Sequence, residues 1–210
     1  MSRLCLQEIL LRSDPASLEK RMIYGERIRL RRDERSDLPK FVEWLNDPEV
    51  RRYLLVDLPI SLANEEQWFE KMLKLPDNEQ PFGIEIREIE PEGDNEHWRL
   101  IGNCSFMDIN WTVRSAEVGL FIGDKSCWNI GYGTEVVRLL LQLGFGTMNL
   151  NRIFLRVYEE NRSGIRAYEK AGFVHEGRFR QGAFHNGEYQ DMLLMGVLRA
   201  EWNPKDQVER

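Results

Sequence analysis

The segment from Ala116 to Thr147, AEVGLFIGDKSCWNIGYGTEVVRLLLQLGFGT, constrains the fold more than any other part of the chain. Residues 116–122 are apolar apart from one glutamate, as expected for a mostly buried strand. Gly131 and Gly133 follow in a short loop, and from Thr134 onwards apolar residues recur at helical spacing. The segment therefore predicts a strand, a glycine-containing loop and a helix.

A helix that begins at such a loop is a potential anion site. Its first amides have no partner within the helix, and its dipole favours negative charge there. Glycines let the backbone approach a phosphate without an intervening Cβ. A P-loop would need a lysine that is absent here, and Val136 replaces the third small residue of a Rossmann fingerprint. The loop predicts a backbone cradle for a diphosphate, although a tight turn without a ligand stays open on spacing alone.

The remaining patterns predict one mixed α/β domain without an internal repeat. We expect an N-terminal extension at residues 1–24, the domain at 25–200 and a C-terminal tail at 201–210. Predicted strands cover residues 25–32, 82–89, 98–109, 116–122, 152–158, 173–184 and 188–198. Predicted helices follow Ser36 or Asp37, lie within 49–53 and 64–75, begin at Thr134, and run from an Asn161 cap to Gly172.

Composition limits the function classes. The net charge of −6, without a basic cluster, argues against a nucleic-acid partner. No apolar run is long enough to span a bilayer, and residues 1–11 are too polar for a signal peptide, so we expect no membrane partner. Cys5, Cys104 and Cys127 are too widely spaced for a disulfide framework or a metal site. We therefore predict a cytoplasmic protein without a metal.

Asn161 and Tyr168 form a second candidate constellation. They are seven residues apart on a predicted helix, which returns the side chains to within ~20° of the same face, about 10 Å apart along the axis. An asparagine amide can donate to and accept from peptide-like groups, and a tyrosine hydroxyl can give a proton to a departing thiolate. Taken singly, Asn161 is equally well explained as a helix cap and Tyr168 as a core residue.

These residues lie in a segment, Ala116 to Leu198, that closely resembles the GNAT superfamily of acetyl-CoA-dependent N-acetyltransferases. The branch it resembles is that of the ribosomal-protein N-acetyltransferases (RimJ/RimL-like). The resemblance is carried by CWNIGYGTEVVRLLLQLGF, RIFLRVYEENRSGIRAYEKAGF and GEYQDMLLMGVL, and by RIRLRRDERSDLPKFVEWLNDPEVRRYL nearer the front of the chain. It covers about residues 25–198.

The resemblance implies the GNAT fold, a mixed, mostly antiparallel, splayed sheet flanked by helices, and acetyl-CoA as cosubstrate. The family's diphosphate loop falls on residues 128–133, with Trp128 where the family has Gln or Arg. We therefore expect the phosphates on the amides of Asn129, Ile130, Gly131, Tyr132, Gly133 and Thr134. The resemblance further places the pantetheine arm against Phe121, Ile122 and Gly123 and beside Asn161, with Lys170 near the phosphate end.

The implied reaction is direct acetyl transfer to a neutral amine. A backbone N–H near Ile122 or Gly123 would stabilise the carbonyl oxygen, and Tyr168 would act as the general acid. Glu117 is the candidate general base, with a water chain as an equal alternative. Further candidates for proton removal are Glu188, Asp191, His175 and His185, the last of which is expected on the surface.

The acceptor stays open among a protein N-terminus, a polyamine and an aminoglycoside-type amine. Residues 44–75 are expected to form one wall of the acceptor site, with acidic side chains for a cation at Asp47, Glu49, Asp57, Glu65 and Glu66. A homodimer is expected from the resemblance. The alternatives are a non-catalytic acyl-CoA-binding or regulatory GNAT-like domain and a nucleotide-binding protein that uses the same loop.

Overall fold

The computed structural model describes residues 22–56, 58–89, 96–185 and 187–203. These residues form one eight-stranded sheet with the strand order β1-β2-β3-β4-β5-β6-β8-β7. Among the described pairings only β5–β6 is parallel. The strands are β1 (Ile23–Tyr24), β2 (Ile28–Arg32), β3 (Phe82–Ile89), β4 (Glu96–Asn110), β5 (Ser115–Ile122), β6 (Arg152–Tyr158), β7 (Val174–His185) and β8 (Glu188–Leu198).

Helices cover both faces of the sheet. One group lies between β2 and β3, and the other helices precede and follow β6. They are α1 (Leu38–Leu45), α2 (Pro48–Arg51), α3 (Leu62–Met72), α4 (Tyr132–Leu141), which continues as a π-helical turn (Gln142–Thr147), and α5 (Arg162–Ala171). The predicted mixed α/β fold with a mostly antiparallel sheet is confirmed.

Strand alternation separates two layers around the central strands. Cys104, Phe106 and Val118 point to one face and join the large core that includes Val136 and Leu140 of α4. The opposite face carries the cross-strand pairs Asn103↔Phe121, Ser105↔Gly119 and Met107↔Glu117. On that side Phe121 packs against the smaller cluster that α1 and α3 provide.

The sheet splays between β5 and β6. Parallel pairing runs from Ser115↔Arg152 to Glu117↔Phe154, and none of the described pairs extends it. β5 continues to Ile122 along β4, whereas β6 continues to Tyr158 along β8. The two strands therefore separate and leave a gap at their carboxyl ends.

Described residues just outside the predicted domain limits of 25 and 200 contact the domain. Ile23 and Tyr24 pair with Leu30 and Arg29, so the last residues of the predicted extension belong to the sheet. At the other end, the ring of Trp202 lies 5.4 Å from that of Phe145. Residues 1–21 of the predicted extension and 204–210 of the predicted tail lie outside the described residues.

The turn between β7 and β8 is where predicted, with Gly187 at φ +83°, but its Asn186 lies outside the described residues. The expectation that His185 is a surface residue is wrong. Its exposed fraction is 2%, and its ring lies 6.0 Å from that of Tyr158. The strand pairing brings this turn residue against β6, a contact that local turn chemistry does not reveal. None of the described helices is both long and apolar enough to cross a bilayer.

Asp33, directly after β2, is a buried carboxyl. Its exposed fraction is 8%, Asn103 Nδ2 donates to its Oδ2 over 2.7 Å, and no described residue donates to its Oδ1. Burial raises the pKa of Asp33 to about 7, because desolvation outweighs the stabilising hydrogen bond from Asn103. Arg31, two residues earlier, forms ion pairs with Glu85 and Asp37.

We predict that Gly123→Ala destabilises the fold. A Cβ at this position would lie 2.1 Å from Trp44 Cδ2, and overpacking of this kind costs about 1–3 kcal/mol. Urea unfolding should show that loss. Gly177→Ala is the matched control, since a Cβ there meets nothing within 4 Å. Equal stabilities of the two variants would contradict the close approach of Gly123 to Trp44.

We predict that Asp33 makes stability fall as pH rises. With a pKa of about 7 in the folded state against about 3.9 unfolded, the native protein alone keeps this proton between those values. The free energy of unfolding therefore decreases across that window, and Asp33→Asn should flatten the decrease and raise stability at pH 8 by about 1–3 kcal/mol. Urea unfolding at several pH values measures the slope. The exposed Glu66→Gln variant should keep the wild-type slope, and an unchanged slope in Asp33→Asn would contradict the assignment.

Candidate active site

A cleft of ≈ 1110 Å³ opens where β5 and β6 separate. One wall comes from α1, α2, α3 and the loop after α2, and the other comes from the start of α4 and one side of α5. Gly123 and Ile130 are not among its lining residues. The lining includes the other predicted site residues, namely Glu117, Phe121, Ile122, Asn129, Gly131, Tyr132, Gly133, Thr134, Asn161, Tyr168 and Lys170.

The start of α4 presents bare backbone to this cleft. Gly131 is the N-cap at φ 96°, and no side chain caps the helix. In the part of the chain that the structure describes, the amides of residues 129–134 donate to no partner. A Cβ at Gly133 would lie 3.9 Å from Ile122 Cδ1 and 4.0 Å from Ala167 Cβ, so this side of the helix is open. Unsatisfied amides at a helix start suit an anion such as a diphosphate.

Arg27 holds this loop from the side of β2. Its backbone amide and Nε donate to the two carboxylate oxygens of Glu135, over 2.7 and 2.9 Å. Its Nη1 donates to the carbonyl of Ile130 over 3.2 Å, and its guanidinium stacks 4.7 Å above the ring of Tyr132. Sequence reasoning missed Arg27, because no local spacing links it to a loop that lies more than a hundred residues away in the chain.

The free edge of β5 supplies further backbone groups. The amide of Gly123 already donates to the carbonyl of Ile101 over 2.8 Å. Since successive residues of a strand point their amides to opposite sides, Phe121 also faces β4, whereas Leu120 and Ile122 face the gap. The indole of Trp128 donates to the carbonyl of Ile122 over 2.7 Å, which agrees with that direction. Of the two predicted carbonyl-stabilising amides, Ile122 is free to act and Gly123 is not.

α5 brings Asn161 and Tyr168 to the same cleft, as their spacing predicted. Asn161 caps the helix, with its Oδ1 accepting from the amide of Gly164 over 2.9 Å, while no described residue accepts from its Nδ2. Tyr168 packs against Phe173, with 6.0 Å between the ring centroids. Burial raises the pKa of Tyr168 to about 12, so the phenol stays protonated throughout the physiological range. Asn161 is therefore a cap that keeps a free donor, and Tyr168 is a competent proton donor.

Glu117 faces the wall formed by α3, on the side of the sheet that also carries Ser105 and Phe121. Arg156 donates to both of its carboxylate oxygens, over 2.9 and 2.8 Å, and the side chain is 7% exposed. This bidentate ion pair occupies both carboxylate oxygens of Glu117. This weakens the case for Glu117 as a direct base. Arg156 was not singled out in the sequence, because only the strand register brings it beside Glu117.

The other candidate bases lie outside the cleft lining. Asp191 accepts from the amide of Gln181 over 2.7 Å and pairs with Arg178 over 2.5 Å. The hydrogen bond from the Gln181 amide, followed by the Arg178 contacts, lowers the pKa of Asp191. His175 contacts Glu169 over 3.0 Å, and Glu188 is exposed.

The five acidic side chains predicted for the acceptor wall have different environments. Lys125 pairs with Asp47 over 2.8 Å and with Glu49 over 2.6 Å. Glu66 is exposed, and Asp57 lies outside the described residues. Glu65 is 7% exposed and lines the cleft. Among the described residues, no group of three or more His, Cys, Asp or Glu is arranged to hold a metal ion.

Residues 27–174 match the family model described as an acetyltransferase (GNAT) domain. The chain is 29% identical over 182 residues to the uncharacterized N-acetyltransferase p20 of Bacillus licheniformis, covering 86% of this chain and 97% of that protein. It is 34% identical over 103 residues to a spermidine N(1)-acetyltransferase of Vibrio cholerae, covering 49% of this chain and 59% of that enzyme, which is less than two thirds of its length. Its fold is similar to a crystal structure of spermidine N-acetyltransferase from Vibrio cholerae in complex with CoA and spermine. That comparison has a TM-score of 0.72 at 28% identity and covers 84% of this chain and 98% of the other.

Proposed function

This chain belongs to the GNAT acetyltransferase family and is an acetyl-CoA-dependent N-acetyltransferase, and we propose that its amine acceptor is a polyamine. The observation that carries the proposal is one continuous cleft whose two ends suit the two substrates. One end has the bare amides of residues 129–134, and the other has an acidic wall that includes Glu65. A small cation with a flexible apolar chain fits such a cleft better than a neutral substrate does.

The residues present fit the cosubstrate. The open space at Gly133 leaves the amides at the start of α4 accessible to a diphosphate. Lys170 and Arg166, both exposed on the cleft side of α5, suit the phosphate end. Leu120 and Ile122 of β5 offer backbone groups to the pantetheine arm, and Asn161 offers its free Nδ2.

Bound acetyl-CoA would supply the activated acetyl thioester. The amide of Ile122 donates to the carbonyl oxygen as it gains charge, and one such donor contributes about 3 kcal/mol. Tyr168 donates its proton to the departing sulfur. The carbonyl of Ile122 accepts a hydrogen bond from the indole of Trp128, which fixes the peptide group between Ile122 and Gly123. We assign no side chain as the direct base, since the carboxylate of Glu117 is paired with Arg156. The proposed route for the proton of the amine is a chain of water molecules.

The finer assignments stay predictions. A member of the RimJ/RimL-like branch would acetylate the α-amine of a protein. The turnover screen described next therefore also decides whether the chain belongs to that branch. The homodimer, the cytoplasmic compartment, the absence of nucleic-acid and membrane partners, and the division into an extension, a domain and a tail also stay predictions.

The proposal is tested by a turnover screen with acetyl-CoA. Thiol release is measured with polyamines, aminoglycosides and peptides with a free N-terminus. We expect spermidine or spermine to have the highest kcat/KM. Preference for peptides would contradict the polyamine assignment and favour the RimJ/RimL-like branch, and turnover with no amine would favour the non-catalytic acyl-CoA-binding alternative.

We predict that Tyr168→Phe lowers kcat at least about tenfold and leaves the Kd of acetyl-CoA unchanged, because only the proton donor is removed. Steady-state kinetics and calorimetry measure the two quantities. Tyr189→Phe is the matched control, since Tyr189 is 67% exposed and lies outside the cleft lining. A wild-type kcat in Tyr168→Phe with the best acceptor would remove Tyr168 from the chemistry.

We predict that Gly133→Ala weakens CoA binding at least about tenfold without lowering stability. The new Cβ makes only ordinary contacts in the free protein but occupies the space next to the bound diphosphate. Gly133 is a sharper probe than Gly131, where a positive φ strains any substitution. Gly146→Ala is the control, because a Cβ there meets nothing within 4 Å and the residue is not among those that line the cleft. Unchanged calorimetric affinity in Gly133→Ala would contradict the cradle.

A further inference from the structure

Glu65 of α3 is a buried acidic side chain of the cleft wall that has no partner among the described residues. It lines the cleft, yet it is only 7% exposed. Within the described residues, no side chain or backbone group donates a hydrogen bond to it or forms an ion pair with it. Two other acids of the cleft lining differ, because Glu49 pairs with Lys125 and Glu117 pairs with Arg156.

Burial of this carboxylate without a partner is unfavourable. Burial raises the pKa of Glu65, because a poorly hydrated site disfavours the charged form. Protein interiors satisfy such groups with hydrogen bonds or an opposite charge. An exposed acid on the same helix, such as Glu66, has no such need. Because Glu65 lies at the cleft surface, a bound ligand can supply the hydrogen-bond donor or positive charge that the fold does not.

The surroundings of Glu65 favour a cation with an aliphatic chain. Asp33 interacts electrostatically with Glu65, and its Oδ1 has no donor among the described residues. Asn103, which is bonded to Asp33, reaches the cleft lining from β4. Phe41 and Trp68 add aromatic surface to the same wall, which suits methylene groups and an ammonium ion. The wall around Glu65 therefore combines a carboxylate with aromatic surface.

We propose that Glu65 binds an ammonium group of the acceptor that is not the one acetylated. The proposal rests on the polyamine function proposed above and names the residue that selects for a second positive charge. The reacting amine must lose its proton beside Ile122 and Tyr168, whereas a buried carboxylate favours the protonated form of any amine next to it. Glu65 therefore suits the distal ammonium, which has to stay charged during the reaction. Charge-assisted hydrogen bonds from that ammonium satisfy the carboxylate.

Glu65→Gln tests this role against Glu66→Gln, which makes the same change at an exposed position of the same helix. The paired substrates are 1,4-diaminobutane and butylamine, which have the same carbon chain and differ in the second ammonium. We expect the KM for 1,4-diaminobutane to rise about ten- to hundredfold in Glu65→Gln, as for loss of a charged hydrogen bond. The KM for butylamine, the KM for acetyl-CoA and kcat should stay close to wild type. Glu66→Gln should match the wild type with both amines.

Two further variants and readouts separate binding from folding. Glu65→Asp keeps the charge with a shorter reach, so it should recover part of the lost discrimination between the diamine and the monoamine. Calorimetric titration of spermine into the protein without acetyl-CoA should show the same order of affinity, with wild type tightest and Glu65→Gln weakest.

The outcomes distinguish this inference from the proposed function. If the wild type turns over 1,4-diaminobutane and spermidine but Glu65→Gln keeps the wild-type KM for them, the role of Glu65 is overturned and the polyamine function stands. An equal rise in the KM for butylamine would also overturn it, because the effect would not depend on a second charge. A wild type that acetylates peptides and no polyamine overturns both.

Discussion

Parallel pairing between β5 and β6 stops at Glu117↔Phe154, and the active site exists because the two strands then separate. Each strand keeps its other neighbour, so the sheet opens without losing its core. The separation leaves the amides of Leu120 and Ile122 facing a gap instead of a strand. It also directs the helices that follow β5 and β6 so that the starts of both line one cleft. A fully paired sheet would have no room for a pantetheine arm and no free edge to bind it.

The anion-binding end of the cleft is built almost entirely from backbone. Gly131 in the left-handed region turns the chain into α4, and no side chain competes for the first amides. Arg27 contacts the carbonyl of Ile130 and the ring of Tyr132, and Trp128 at the start of the loop donates to the carbonyl of Ile122 in β5. These contacts leave the amides of the loop free. The long-range contact of Arg27 and the nearer contact of Trp128 thus substitute for a side-chain cap. In contrast, the opposite wall depends on side-chain charge, with Glu49 and Glu117 paired with basic residues and Glu65 without a partner among the described residues.

The sequence predicted the parts of the structure that depend on near neighbours. The strand at residues 152–158, the Asn161 cap and the shared face of Asn161 and Tyr168 follow from local spacing, and the structure agrees with each. The parts that it did not predict depend on register and on distant contacts. The amide of Gly123 is not free because it donates to the carbonyl of Ile101, and Glu117 is not unpaired because Arg156 lies beside it. The five acids predicted for the acceptor wall looked equivalent in the sequence, and among the four that the structure describes only tertiary packing distinguishes Glu65 from the others.

The central claim is that free backbone amides, at the start of α4 and on the open edge of β5, bind acetyl-CoA so that its thioester lies beside Tyr168. A crystal structure of the protein with CoA tests this most directly. The account predicts diphosphate oxygens within about 2.7–3.2 Å of amides among residues 129–134 and the thiol end between Ile122 and the hydroxyl of Tyr168. CoA bound outside the gap between β5 and β6, or with its diphosphate held only by side chains, would contradict it.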